Sequence, residues 1–187
     1  RDWGRDCYCE SGRDNTCGCR HSAQYGELPF GYDHKYVYSH FGYNLKVTDM
    51  QAAIGCAQLK KFQSFVEKRR HNHAKLKALL KCVEDKIILP KPCDNSSPSW
   101  FGFLITCREG VERAKVVESV EKAGVQTRML FAGNLLRHPC FDEMRNNKEG
   151  YRVVGELPVT DRIMKDTFWV GVYPGMTDAM IEYMAES

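Results

Sequence analysis

Hydrophobic patterning divides the chain into an aperiodic front and a periodic remainder. Residues 1–24 are dominated by Gly, Asp, Asn and Ser and read as loop. Residues 25–47 are also loop-like, but aromatic and polar; Tyr36, Tyr38 and His40 alternate along a short extended piece and share one face. At Thr48 the pattern changes. Met50, Ala53, Ile54 and Ala57 follow at the i, i+3, i+4, i+7 spacing of a helix with one buried face. Thr48 is a natural N-cap, and Asp49 puts negative charge where the helix dipole favours it. Phe62, Phe65 and Val66 extend the apolar face, and Leu76, Leu79, Leu80 and Val83 resume it after the polar run 67–73. The pattern predicts one long helix over 48–82.

Beyond it, Pro90, Pro92 and the polar cluster 94–98 break the chain into loop. Residues 99–107, rich in aromatic and β-branched side chains, read as a buried strand. Val111, Ala114, Val117 and Val120 define the inner face of a helix over 111–123 that stops at Gly124. A short strand at 125–128, a polar loop at 142–157, a short helix at 158–164, a strand at 167–173 and a last helix from about Thr177 complete the order. The alternation predicts an α/β (α+β) domain: a small sheet with helices packed on it, preceded by a long linking helix.

Composition narrows this modestly. A net charge of +3 is too small to argue for nucleic acid or an anionic membrane surface. No apolar run approaches the ~20 residues that span a bilayer, and no secretory leader pattern occurs. The 187 residues begin at Arg1 within a polar motif and stop at Ser187 inside a helical pattern, so a fragment of a longer protein is expected. Nine cysteines, an odd number, argue against a simple disulfide framework and for a reducing, cytoplasmic setting with thiols as metal ligands.

Cys7, Cys9, Cys17 and Cys19 crowd the N-terminal loop, where thiolates can converge on one soft metal. Three readings stay open at this point. A zinc site more often has two residues between paired cysteines, and only one intervenes here; disulfides fit a reducing compartment poorly; an iron–sulfur cluster held by four thiolates is the third. Separately, the turn after the 125–128 strand carries Arg128, Asn134, Arg137 and His138. An arginine fork there can hold phosphate oxygens, so Arg128, Asn134 and His138 are candidate anion contacts; the alternative for Arg137 and His138 is a simple surface turn.

Gly42-Tyr43-Asn44-Leu45-Lys46 followed by Asp49-Met50-Gln51-Ala52-Ala53-Ile54-Gly55 resembles the signature of the DegT-type sugar aminotransferase and dehydrase family, fold-type I vitamin B6 enzymes acting on nucleotide-linked sugars. Cys7, Cys9 and Cys17 match the C-x-C-x7-C group of its iron–sulfur 4-keto-6-deoxyhexose-3-dehydrase branch, which serves lipopolysaccharide biosynthesis. The resemblance implies a [2Fe–2S] cluster on Cys7, Cys9 and Cys17, with a fourth ligand upstream of Arg1 and Cys19 extra to the pattern. It also implies pyridoxamine or pyridoxal phosphate as cofactor, with Asn44 reaching its phosphate across a homodimer interface; the local alternative is that Asn44 caps a turn. Phe101 falls where the dehydrases place an active-site aromatic, or else packs in the core. The implied catalytic base, a His in dehydrases and a Lys in aminotransferases, lies upstream of Arg1, so no catalytic residue is expected in this chain and the fragment should be inactive alone. An NDP-sugar substrate and a flavin/iron–sulfur reductase are the implied partners. The resemblance divides the chain into 1–47, ending the large cofactor domain; 48–82, the linking helix; and 83–187, the small C-terminal domain. A pyridoxal phosphate-dependent sugar aminotransferase and a zinc-stabilised binding module are the alternative functions.

Overall fold

The computed structural model describes residues 2–10, 12–13 and 15–187. The chain is mixed helix and sheet, and it separates into two compact units, Arg1–Leu59 and Lys60–Ser187.

In the first unit, backbone pairing replaces a core. Asp2 bridges Asn44 and Arg5 bridges Tyr38, antiparallel. The Trp3 N–H donates to Tyr43 O at 3.1 Å, Ser39 N–H to Gly4 O at 3.1 Å, and Asp6 N–H to Val37 O at 2.9 Å. This approach requires glycine. Gly4 has φ +81°, and a Cβ there would lie 1.9 Å from His40 O; one on Gly42 would lie 2.1 Å from Gly4 N. Helix α1, Asp49–Leu59, opens with a reciprocal cap: the Gln51 N–H donates to Thr48 Oγ1, and the Thr48 N–H donates to Gln51 Oε1. The N-cap reading of Thr48 therefore holds. The buried face does not. No residue of α1 is buried in its unit, and Met50 and Ile54 are 78% and 64% exposed.

The expected single helix over 48–82 is two. α1 stops at Leu59, and α2, Phe62–Leu79, begins after a turn at Lys60-Lys61. The sequence carries the cause. Continuing the stripe of Ala53, Ile54 and Ala57 would put apolar residues at 60, 61 and 64, which are Lys, Lys and Ser. Phe62 and Val66 lie out of step with that stripe, while Phe65 returns to the side of Ile54, so one straight helix could not carry the whole second set on the same narrow face.

The second unit is built on a four-stranded antiparallel sheet, β1 (Ile87–Ile88), β2 (Gly102–Cys107), β3 (Thr127–Met129) and β4 (Thr167–Gly171), in the order β1-β2-β4-β3. Residues alternate along β2, so Phe103, Ile105 and Cys107 are buried on one face; Phe103 and Ile105 lie opposite Val170 and Phe168 of β4. Leu76 of α2 and Ile181 of a terminal helix, Asp178–Glu186, complete the core. Each such side chain contributes about 1.5–3 kcal/mol by leaving water. The intervening helices are α3 (Arg113–Lys122), α4 (Asp142–Asn147) and α5 (Pro158–Asp166), making the terminal one α6. The stretch 142–157, read from its polarity as loop, thus contains a short helix. Polar contacts fix α2 over the end of the chain: Asn72 Nδ2 donates to Tyr173 O at 2.8 Å, and Lys75 pairs with Asp178 and Glu182 of α6. Among the described residues no helix is long and apolar enough to cross a membrane.

Candidate metal centre and anion-binding edge

The cysteine loop folds around a histidine. Ligand atoms of Cys7, Cys9 and His34 lie within 4.8 Å of one another. Cys17 Sγ is 3.3 Å and Cys9 Sγ 3.7 Å from His34 Nε2. His34 is 1% exposed, in a unit where Val37 is the only other buried described residue. Its position is fixed from several sides. The Asp33 carboxylate accepts from the Lys35 N–H to start the 3-10 turn His34–Tyr36, and it also accepts from Arg20 Nε at 2.9 Å and Nη2 at 2.7 Å. The His34 N–H donates to Arg20 O, and Tyr8 stands edge-on to the imidazole. The Arg20 guanidinium holds the Asp33 carboxyl down at about 2.

Cys19 stands apart. Its thiol lies 3.7 Å from the Tyr8 hydroxyl, while its N–H donates to Cys17 Sγ. Hydrogen bonding from the Cys17 amide, aided by Thr16, Cys17 and His34, lowers the Cys9 thiol to about 6 against the effect of burial. The Cys17 thiol moves up: the Cys19 amide favours its thiolate, but burial and the neighbouring thiols of Cys9 and Cys19 outweigh that. One thiolate forms readily here and resists the next. A cation relieves that repulsion, and thiolate with imidazole donors suits iron–sulfur or zinc; the atoms that lie together are those of Cys7, Cys9 and His34, with Cys17 joined to them through His34 Nε2. The residues present therefore fit a thiolate-held metal group. Sequence reasoning missed His34 because a lone histidine in an aperiodic loop carries no spacing signal.

Asn44 lies in the same unit, on the strand-like piece pinned to Asp2, with its residue exposed. The cap of α1 is supplied by Thr48 and Gln51. An exposed side-chain amide offers the N–H donors that a phosphate takes.

In the second unit Phe101 precedes β2, 59% exposed and edge-on to Trp169 at 5.4 Å. Trp169 pairs with Arg128 across β4 and β3, and its Nε1–H donates to Met129 O at 3.0 Å. Gly102 makes room for the indole, since a Cβ there would meet Trp169 Cε3 at 2.6 Å. Arg128, Trp169, Tyr173, Met180 and Tyr183 line a groove of about 630 Å³. Arg128 is exposed and gives one hydrogen bond, from Nη1 to Thr127 O. Phe101 meets the Trp169 indole, and Arg128 pairs with Trp169 in the sheet and shares its groove.

Asn134 and His138 serve the turn itself. Asn134 is 3% exposed, donates to Asp161 at 2.7 Å and accepts from the Leu136 N–H. Arg137 pairs with the same carboxylate, which these two partners hold below its ordinary range. His138 Nε2 lies 2.6 Å from Ala132 O. The His138 contact stays within the turn, and Asn134 ties the turn to Asp161 of α5.

Comparison with known proteins covers both units. The DegT/DnrJ/EryC1/StrS aminotransferase family matches residues 19–187, which leaves Cys7, Cys9 and Cys17 ahead of the matched stretch. The lipopolysaccharide biosynthesis protein RfbH of Salmonella typhimurium is 54% identical over 98% of the chain and 41% of its own length. A dTDP-4-dehydro-2,6-dideoxy-D-glucose 3-dehydratase of Saccharopolyspora spinosa is 49% identical over 100% of the chain and 40% of its own length. The chain thus spans about two fifths of these relatives. A solved E coli GDP-4-keto-6-deoxy-D-mannose-3-dehydratase with bound hydrated PLP superposes with a TM-score of 0.69 at 26% identity, over 82% of this chain and 38% of that one.

Proposed function

Because the chain belongs to the DegT/DnrJ/EryC1/StrS aminotransferase family, we propose that it forms the C-terminal part of a nucleotide-sugar 3-dehydrase dependent on pyridoxamine phosphate and a [2Fe–2S] cluster. Its reaction is removal of the C3 hydroxyl from a 4-keto-6-deoxyhexose for lipopolysaccharide assembly, in the cytoplasm. The observation that carries this reading is the convergence of Cys7, Cys9 and Cys17 on the buried His34. It lies in a stretch that the RfbH protein and a 3-dehydratase match along with the rest of the chain. An aminotransferase has no use for such a centre.

When bound, pyridoxamine phosphate supplies an electron sink for loss of the hydroxyl, and the iron–sulfur group relays electrons from a flavin/iron–sulfur reductase. The chain's own residues hold and orient. Cys7, Cys9 and Cys17 ligate the cluster, with a further cysteine ahead of Arg1. Asn44 donates its amide N–H to the cofactor phosphate of the neighbouring subunit in a homodimer. The exposed apolar face of α1 supports such an assembly, because an 11-residue helix is marginal alone in water. Arg128 holds diphosphate oxygens of the NDP-sugar, and Phe101 with Trp169 offers it an aromatic wall. Residues 1–47 end the large cofactor domain, 48–82 link, and 83–187 form the small domain.

The test is anaerobic reconstitution of the full-length protein with iron, sulfide and pyridoxamine phosphate, then turnover of an NDP-4-keto-6-deoxyhexose with a reductase. A brown protein yielding the 3-deoxy sugar, lost in Cys9→Ser, supports the reading. A colourless protein that makes an amino sugar from glutamate would point to the aminotransferase instead. A zinc-loaded chain that binds no B6 cofactor would point to the binding module.

A further inference from the structure

The geometry points to His34 as a hydrogen-bond donor to the cysteine sulfurs that ligate the iron–sulfur group, and so as the residue that sets its reduction potential. This rests on the proposed cluster at Cys7, Cys9 and Cys17. The resemblance that selects those cysteines says nothing of His34.

Three observations support the role. His34 Nε2 faces two sulfurs at once, 3.3 Å from Cys17 and 3.7 Å from Cys9. A ligating thiolate has lost its proton and only accepts, so the proton in each contact belongs to Nε2. The ring is also fixed. It is 1% exposed, edge-on to Tyr8, and held by the Arg20–Asp33 pair and the His34 N–H to Arg20 O bond. A loop of this polarity has no packing reason to bury an imidazole, and no other polar side chain of the unit is buried among the described residues.

The consequence follows from charge. Reduction adds an electron to a group already negative through its thiolates. An N–H pointed at a ligating sulfur draws off part of that charge and favours the reduced form, so the potential rises. Where electrons arrive from an external reductase, a higher potential eases their entry.

The decisive comparison is between His34→Leu and His34→Gln in the full-length, reconstituted protein. Gln places an amide N–H near the reach of Nε2; Leu fills similar space without a donor. The expected result is a Leu variant that keeps its iron and sulfide but has a more negative midpoint potential, with Gln close to wild type. A Leu variant at the wild-type potential overturns the role. So does a directly bonded nitrogen in pulsed EPR of the ¹⁵N-histidine-labelled reduced protein, which would make His34 a ligand instead. Should the Leu variant fail to load, pulsed EPR of the reduced, ¹⁵N-histidine-labelled wild type decides: a weak histidine ¹⁵N coupling of hydrogen-bond size supports the bond, and no histidine coupling refutes it. A wild-type protein that binds no cluster refutes the proposed function rather than this role.

Discussion

In Lys60–Ser187, Phe103, Phe168, Leu76 and Ile181 are sealed in one apolar cluster, whereas in Arg1–Leu59 only His34 and Val37 are buried among the described residues. The second unit has a core sufficient for an ordinary domain. The first has paired backbone, a half-buried ion-paired aspartate beside it, and thiols gathered on an imidazole. A segment this poor in buried apolar surface cannot offset the entropy of ordering by packing alone. On the proposed function, order in the first unit depends on the metal group held there, as in small metal-organised folds.

That contrast can be attacked from either side. The largest effect is expected in the sheet unit: Phe103→Ala removes a fully buried ring and should cost about 3–5 kcal/mol in denaturant unfolding of that unit. Amide protection at residues 2–6 and 37–44 should be unchanged by it, and a joint loss would make the two units one cooperative body. Next, Arg128→Ala should weaken calorimetric binding of the nucleoside diphosphate by about 1.5–3 kcal/mol, with partial recovery in Arg128→Lys. An unchanged affinity removes Arg128 from the substrate edge.

Acid should separate the units as well. His73 packs against Trp100 and Phe103, and burial, then the nearby Lys77 charge, lowers it from 6.5 to about 4. With a depressed folded value, its contribution is whole above pH 6.5 and is lost as pH falls toward 4. After discounting for partial solvation this is about 1–2 kcal/mol. The Arg20–Asp33 pair, lowered from 3.8 to about 2, holds until pH falls below 3.8. Below pH 6 a titration of unit-specific fluorescence should therefore show this loss in the sheet unit before the Arg20–Asp33 pair yields, and His73→Leu should flatten it. The smallest effect is Thr48→Ala, about 1 kcal/mol on α1 by removal of its cap, read as faster amide exchange over 49–53.

The sheet unit was the more legible of the two, for a physical reason. Strands and helices with one buried face print their period on the sequence, and β2, α3, β4 and α6 lie within a few residues of where periodicity puts them. The two-residue β1 is too short to carry a period, and α4 is too polar and too brief to stand out from loop. The turn at Lys60-Lys61 has no glycine or proline, so only the slipped phase of the apolar stripe marks it. In the first unit the cap at Thr48 is local chemistry and could be read directly. The meeting of Cys7, Cys9 and Cys17 with His34 is set by long loop closures, for which sequence spacing holds no code. Asn134 shows the converse: a residue type suited to phosphate is turned inward by Asp161, 27 positions away.

The central claim is that the thiol-held metal group organises the first unit while the apolar core organises the second. Hydrogen exchange of the full-length protein, loaded with iron and sulfide and then stripped anaerobically, tests it most directly. The account predicts that stripping abolishes protection across 2–44 and leaves 102–107 and 167–171 unchanged. Equal protection across 2–44 in both states would contradict it.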